Sequence, residues 1–510
     1  MRALVILIAA PLVHAATCES LATLALPHTT IATAELHPAG DFENNKHLPA
    51  FCRVAGSLNP SADSDIRFEV WLPAANWNGK FQGVGNGGFA GDIDLGGLAD
   101  ALRHNYASAS TDTGHEAGGT DARWALDHPE KIIDFGYRAI HETAVTAKLL
   151  IKQFYGEDPR WSYFNSCSNG GRQALMEAQR YPADYNGIVA GAPANYWTHL
   201  LSEAAANLVA LLETPADYIP ASKLPAIQAA ALAACDTIDH VKDGVIEDPR
   251  QCHFDPSTLL CKGEESASCL TAPQVIALKK LYAGATDSKG HRIFPGYSPG
   301  GEADPVGWRI WITGPAPEKS AMYAFGTQYF KNMVFDNPDW NFRTFDVDRD
   351  TKAADDKTAR ILNSNDPDLS AFEKRGGKLI LYHGWSDAAI PPQNAIDYTE
   401  SVAAKMGAGN IEGFLRLYMV PGMQHCGGGA GVTNFGGGTP AGDRFHDVDA
   451  ALEAWVEHGQ APGQIIATKY GAGGAVVRTR PLCPYPAVAT WKGTGSTDDA
   501  ANFSCVAPAK

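Results

Sequence analysis

FNSCSNGGRQALMEAQRYP (164–182) is the stretch on which the fold turns. WSYFNS (161–166) reads as a strand, GRQALMEAQRYP (171–182) as a helix, and Ser168 stands at the turn between them. A nucleophile elbow needs a strand, a strained tight turn bearing the nucleophile, small residues where strand and helix pack closely, and a helix N-terminus facing the site. The usual G-x-S-x-G appears as Ser166-Cys167-Ser168-Asn169-Gly170, with Gly171 following, so its first glycine is absent. The competing reading is a serine N-cap on an ordinary strand-to-helix turn.

Outward from this point the chain alternates strand-like and helix-like segments. Upstream, RFEVWLP (67–73), KFQGVG (80–85) and NYASAST (105–111) read as strands. Asp134 to Tyr155 reads as a helix, because Tyr137, Ile140, Ala144, Ala147 and Ile151 recur at helical spacing. Downstream, GIVAGAPA (187–194), GKLILYHG (377–384) and FLRLYMVPG (414–422) read as strands; 391–407 and 447–459 read as helices. Such alternation predicts an α/β fold with a mostly parallel sheet covered by helices on both faces. Residues 195–374 differ in character: four cysteines, a helical pair (223–234 and 271–284) and an aromatic-rich run over 308–342. An insertion of this size between two halves of one sheet predicts a lid over the strand ends, giving the two parts of the sheet domain at 17–194 and 375–510 around a lid at 195–374.

The 510 residues carry 41 Lys+Arg against 57 Asp+Glu, a formal net charge of −16, with 45% hydrophobic and 19% charged residues. That composition supports a buried core and excludes a disordered chain. An acidic chain with no basic block offers no footprint for phosphates, so neither nucleic acid nor an anionic membrane is an expected partner. MRALVILIAAPLVHAATCES (1–20) has one charge at Arg2, an apolar core from Ala3 to Val13 and small residues at Ala15 and Ala16. It predicts a signal peptide over 1–16 and a secreted or periplasmic mature chain in which disulfides are permitted. The ten cysteines leave about 945 pairings open on composition alone. Cys235/Cys252, Cys261/Cys269 and Cys483/Cys505 are near neighbours able to close short loops; Cys18, Cys52, Cys167 and Cys426 remain. Oligomeric state is not set by the sequence.

A serine nucleophile needs a base, the base needs an orienting acid, and in a sheet of this kind the chain order is Ser, Asp, His. LILYHGWSDAAIPP puts Asp387 directly after a strand, and LRLYMVPGMQHCGGG puts His425 in the loop after the next one. The alternatives are a helix N-cap for Asp387 and a surface loop residue for His425. Cys167 precedes Ser168 and Cys426 follows His425, so a bond between them would tether nucleophile to base.

The CSNGG elbow, the HGWSD strand end, the HC pair and the terminal TRPLCPYPAVATWKGTGSTDDAANFSC together resemble the tannase and feruloyl esterase family, which also includes the mono(2-hydroxyethyl) terephthalate hydrolase. The resemblance covers essentially the whole mature chain. It implies an α/β-hydrolase fold with a large inserted lid, a triad of Ser168, Asp387 and His425, and a calcium site in the lid. It also implies five disulfides: Cys18–Cys52, Cys167–Cys426, Cys235–Cys252, Cys261–Cys269 and Cys483–Cys505.

The segment CDTIDHVKDGV (235–245) can be read by itself: Asp236, Asp239 and Asp243, with carbonyls between them in a glycine-containing turn, form an oxygen-only set suited to calcium. The resemblance adds the backbone oxygens of Val241 and Val245 as ligands, with a structural role for the ion. A solvated acidic turn is the alternative. For an oxyanion hole the resemblance points to GVGNGGFAG (83–91), where Gly87 or Gly88 would act with the Asn169 amide. Trp308, Trp311, Tyr329 and Phe330 are candidates to stack on an aromatic ring or, equally, to form the lid core; Ile390 is a candidate for the pocket wall. The expected activity is a serine carboxylic ester hydrolase acting on small aromatic esters, of feruloyl, hydroxycinnamoyl or galloyl type. Terephthalate monoester hydrolysis, or a non-catalytic calcium-dependent extracellular binding protein, are the alternatives.

Overall fold

The computed structural model describes residues 16–438 and 442–507; the expected signal peptide lies, but for Ala16, outside the described residues. Nine strands form the central sheet: β1 (Thr29–His37), β2 (Phe51–Leu58), β3 (Ile66–Pro73), β4 (Lys80–Val84), β5 (Ala107–Thr111), β6 (Trp161–Cys167), β7 (Gly187–Gly191), β8 (Lys378–Gly384) and β9 (Leu415–Val420). Their order across the sheet is β1-β2-β3-β5-β4-β6-β7-β8-β9. The first three join antiparallel, and β3 meets β5 antiparallel; from β5 to β9 every pairing is parallel. This is the α/β arrangement expected.

Strands covered by helices on both faces lose water on both, which explains why β5 and β7 are buried along their whole length, β5 with small residues of the sequence ASAST and β7 with GIVAG. Helices Ala139–Tyr155, Asn169–Arg180 and Gln393–Met406 cover one face; Leu95–Arg103 and Val448–His458 cover the other. In Ala139–Tyr155 the buried stripe includes Ile140, Ala144, Ala147, Leu150 and Ile151, and burial of each leucine or isoleucine contributes about 1.5–3 kcal/mol. The helix expected to begin at Asp134 is interrupted there: 134–138 is a π-turn, preceded by a short helix Pro129–Ile133. Two carbonyls of this turn, those of Phe135 and Gly136, accept from the Arg172 side chain.

Between β7 and β8 the chain leaves the sheet for helices Trp197–Leu212, Leu224–Cys235, Ala272–Ala283, Ala321–Tyr329 and Val347–Leu362, yet the two strands still pair, Ile188 opposite Leu379 and Gly191 opposite Tyr382. These helices share a second core, around Leu208, Leu278, Trp308 and Phe330, which reaches down to Phe135 and Ile390. The chain ends in two hairpins, Ile465–Tyr470 with Val476–Leu482 and Val488–Trp491 with Phe503–Val506. Among the described residues no helix is long and apolar enough to cross a membrane.

Candidate active site

Ser168 follows β6 with φ +68° and ψ −125°, a backbone that costs on the order of 1–3 kcal/mol outside glycine. The fold holds it there: its amide donates to the Gly191 carbonyl at 2.9 Å, and its own carbonyl accepts the amides of Arg172 and Ala194, each at 3.1 Å. A side chain at Gly170 would collide with Ser166 Oγ, and one at Gly171 with the Gly191 carbonyl, so strand and helix approach only because both are glycine. Ser166, at the position of the missing elbow glycine, fits because Gly85 and Gly170 leave room on either side of it.

The helix behind Ser168 is anchored by Arg172, which is wholly buried. Its Nε donates to Asn169 Oδ1 at 2.8 Å, Nη1 to the Gly136 carbonyl at 2.8 Å and the Leu362 carbonyl at 3.3 Å, and Nη2 to the Phe135 carbonyl at 2.9 Å. Two of these acceptors belong to the π-turn, an irregularity that aims helix carbonyls at a side chain. The guanidinium also lies over Phe135 and Trp197, 4.7 and 5.2 Å from the ring centroids. Burial without a carboxylate partner lowers its pKa to about 9.

His425, in the loop after β9, sets Nε2 2.8 Å from Ser168 Oγ and Nδ1 2.9 Å from Asp387 Oδ2. Asp387, in the turn after β8, accepts the Ala389 and Ile390 amides on Oδ1 at 2.8 and 2.9 Å. A second imidazole, that of His383, brings Nε2 to 3.2 Å from Oδ2. Burial works against the charged carboxylate, but the facing His425 and the hydrogen bonds from His383 and His425 outweigh it and hold Asp387 well below the usual range. A base in reach of a hydroxyl, backed by an ionised acid, is a geometry that can move a proton from Ser168 Oγ and return it. Trp311 meets the His425 ring edge-on at 4.9 Å.

A narrow cleft opens beside Ser168. Of the residues singled out in the sequence, Gly88, Asn169, Trp311 and Ile390 line it; Gly87 does not. Trp308, Tyr329 and Phe330 do not line it either, contrary to a role in stacking on substrate. Trp308 packs against Tyr282 and Tyr297, the Tyr329 hydroxyl bonds Thr358 Oγ1 at 2.7 Å, and Phe330 stacks on Trp340 and Phe335, all inside the second core. The sequence did not point to the residues that do form the wall: Trp197, Leu200 and Leu201 from one helix, Tyr297, Met322 and Phe325. The first three had a signal, since WTHLLSEAAANLVALL (197–212) is apolar nearly all round, as a helix buried on every side must be. Among the described residues, none of those lining the cleft is charged.

All ten cysteines pair, in the five combinations the resemblance implies. Cys167–Cys426 joins the elbow to the histidine loop with Cα atoms 5.9 Å apart. In the acidic loop, Asp236 accepts the Asp243 and Gly244 amides at 3.1 Å each, Asp239 the Val241 amide at 3.0 Å and Asp243 the Val245 amide at 3.2 Å. Arg480 and Arg478, from the C-terminal hairpin, bind Asp243 Oδ2 at 2.7 and 3.1 Å. Burial first, and then neighbouring acids, raise the Asp239 and Asp243 carboxyls. The set is oxygen-only, as a hard cation requires, but among the described residues the three carboxylates do not gather within 4.8 Å of one another, and one Asp243 oxygen is committed to the arginines.

The family profile described as tannase and feruloyl esterase matches residues 52–506. An uncharacterized esterase of Xanthomonas campestris pv. campestris is 46% identical, over 96% of this chain and 91% of that protein. The mono(2-hydroxyethyl) terephthalate hydrolase of Piscinibacter sakaiensis is 34% identical, over 90% of this chain and 85% of its own. The crystal structure of feruloyl esterase B from Aspergillus oryzae superposes with a TM-score of 0.89 at 30% identity, covering 96% of this chain and 99% of that one. With its α/β-hydrolase fold and a match of this extent, the chain belongs to the tannase and feruloyl esterase family and is a carboxylic ester hydrolase.

Proposed function

We propose that this protein is a secreted serine esterase that cleaves esters of aromatic acids through an acyl-enzyme. The observation that carries the reading is the hydrogen-bonded series Ser168–His425–Asp387 at the mouth of an apolar cleft. Ser168 Oγ attacks the ester carbonyl while His425 Nε2 takes its proton; the same proton then goes to the departing alcohol. Water, deprotonated by His425, attacks the acyl-enzyme, releases the acid and restores the serine. Asp387 keeps Nδ1 protonated and offsets the imidazolium charge. The backbone amides of Gly88 and Asn169, both beside Ser168, are the donors for the tetrahedral oxyanion. The reading as a non-catalytic binding protein falls with the family's chemistry.

Five disulfides support an oxidising destination outside the cytosol. The acidic loop would hold calcium through Asp236, Asp239 and Asp243 and the carbonyls of Val241 and Val245, linking this loop to the C-terminal hairpin through Arg478 and Arg480. Its role is structural.

A wall without charge favours a neutral aromatic acyl group, such as a hydroxycinnamoyl group, over a terephthalate monoester, whose distal carboxylate would be buried without a partner. Methyl ferulate, methyl gallate and a terephthalate monoester, compared by kcat/KM, test this. Ferulate should exceed the terephthalate monoester by about tenfold or more, the factor a buried unpaired group commonly imposes. Preference for the terephthalate monoester would overturn the substrate reading, and hydrolysis of none of the three the reading as an aromatic esterase.

A further inference from the structure

His383 is the last residue but one of β8, four residues before Asp387, and is wholly buried. Its Nε2 lies 3.0 Å from the Ile390 carbonyl and 3.2 Å from Asp387 Oδ2, the oxygen that also faces His425 Nδ1. A carbonyl has no hydrogen to give, so the contact fixes the tautomer: Nε2 carries the proton, donates it to the Ile390 carbonyl and keeps its positive end 3.2 Å from Oδ2. Nδ1 is buried with no hydrogen-bond partner, so the ring does all its bonding from one side.

The turn from Asp387 to Ile390 is closed at both ends. Asp387 Oδ1 holds the Ala389 and Ile390 amides, while His383 spans the Ile390 carbonyl and Oδ2. A carboxylate pinned by two amides can still rotate Oδ2 off the line to His425; an N–H 3.2 Å behind Oδ2 opposes that rotation by its partial positive charge. The donor also draws charge from Oδ2, so His425 faces a weaker acceptor than a lone aspartate would be. His383 lines no part of the cleft.

We infer that His383 is a positioning residue, a second imidazole that orients Asp387 and sets how strongly it holds the His425 proton. This rests on the proposed role of Ser168, His425 and Asp387. Among the described residues Tyr297, from the insertion, also faces Asp387; burial raises its phenol far out of the working range.

Two polar, uncharged substitutions test the inference. Glutamine reaches as far as imidazole Nε2 and keeps a donor behind Oδ2, whereas asparagine reaches only as far as Nδ1. With active sites counted by fluorophosphonate labelling of Ser168, so that misfolded protein drops out, His383→Gln should keep kcat within about threefold. His383→Asn should lose about ten- to a hundredfold in kcat, as a displaced catalytic group does, with KM within about twofold. Freed of its second donor, Asp387 should hold the imidazolium more firmly, moving the acid limb of kcat/KM to higher pH in the asparagine variant. Equal kcat for the two variants, or an acid limb that stays or moves down, overturns the inference. A wild-type enzyme that is not labelled at Ser168 overturns the reading of the site and this inference with it.

Discussion

Cys167 and Cys426, 259 residues apart in sequence, are bonded to each other, and the residues directly beyond them, Ser168 and His425, stand 2.8 Å apart from Oγ to Nε2. A covalent tie is therefore one residue from each end of the hydrogen bond on which the proposed proton transfer depends. Replacing both cysteines by alanine leaves no unpaired thiol and should lower kcat well below the melting temperature, since a displacement of about 1 Å can cost roughly a hundredfold. Loop-closure entropy by itself predicts a loss of about 5 kcal/mol in stability with normal turnover of whatever stays folded. Turnover per labelled active site, read beside an unfolding curve, separates the two; normal kcat would reduce the disulfide to a stability device.

Chelation should act on stability and not on chemistry. The acidic loop lies in the insertion and is tied to the C-terminal hairpin, while Ser168 is served by other elements. EGTA should lower the melting temperature by several degrees and leave saturated turnover of folded enzyme unchanged; a site saturated a hundredfold above its Kd contributes about 2.7 kcal/mol. Asp239→Asn should reproduce the effect without chelator. An unchanged melting temperature would contradict the calcium assignment.

Arg172 satisfies four acceptors on three segments from one guanidinium. Arg172→Met strands those carbonyls and Asn169 Oδ1, partly offset by removal of a buried charge, for a net loss of about 2–4 kcal/mol. Arg172→Lys should fare little better, because a point charge cannot span the same acceptors. Urea unfolding checks both.

Asp112 follows β5, with Oδ1 accepting the Arg67 and Gly114 amides and Oδ2 buried without a partner. Burial raises its pKa to about 7, above the value of roughly 3.9 in an unfolded chain. The native state therefore holds a proton that the unfolded state releases, and this group's contribution falls as pH rises from about 4 to about 7. Asp112→Asn keeps both accepted bonds and cannot ionise. The stability of the variant relative to wild type should climb across that window and level off above it; a flat difference would contradict the assignment.

What the sequence made legible follows from periodicity. β3 to β9 and the helices after β6, β8 and β9 carry apolar patterns that survive folding unchanged, so their bounds agree with the structure to within a few residues. The approach of Ser168, Asp387 and His425 was readable because each follows a strand of one parallel sheet. β1, β2 and the helices over 197–212, 321–329 and 347–362 are not legible from periodicity. Strands such as TTIATAELH (29–37), exposed along most of one edge, have little apolar signal, and these three helices of the insertion, unlike the pair at 223–234 and 271–284, are defined by packing on their neighbours. The same cause hid the cleft wall. Aromatic content marked Trp308, Tyr329 and Phe330 as readily as Trp311, and only the packing separates the residue beside His425 from the three inside the core. His383 lies in the HGWSD strand end, but its approach to Oδ2 depends on a turn geometry that spacing does not disclose.

The most direct measurement is covalent labelling of the intact protein by a fluorophosphonate, mapped by peptide mass spectrometry, alongside ester hydrolysis by Ser168→Ala. The geometry predicts one label per chain, on Ser168, slowed strongly by His425→Ala, and a fall of several orders of magnitude in kcat for Ser168→Ala without unfolding. Labelling at another residue, or a folded Ser168→Ala enzyme retaining about a tenth of wild-type turnover, an effect of only 1.4 kcal/mol, would contradict it.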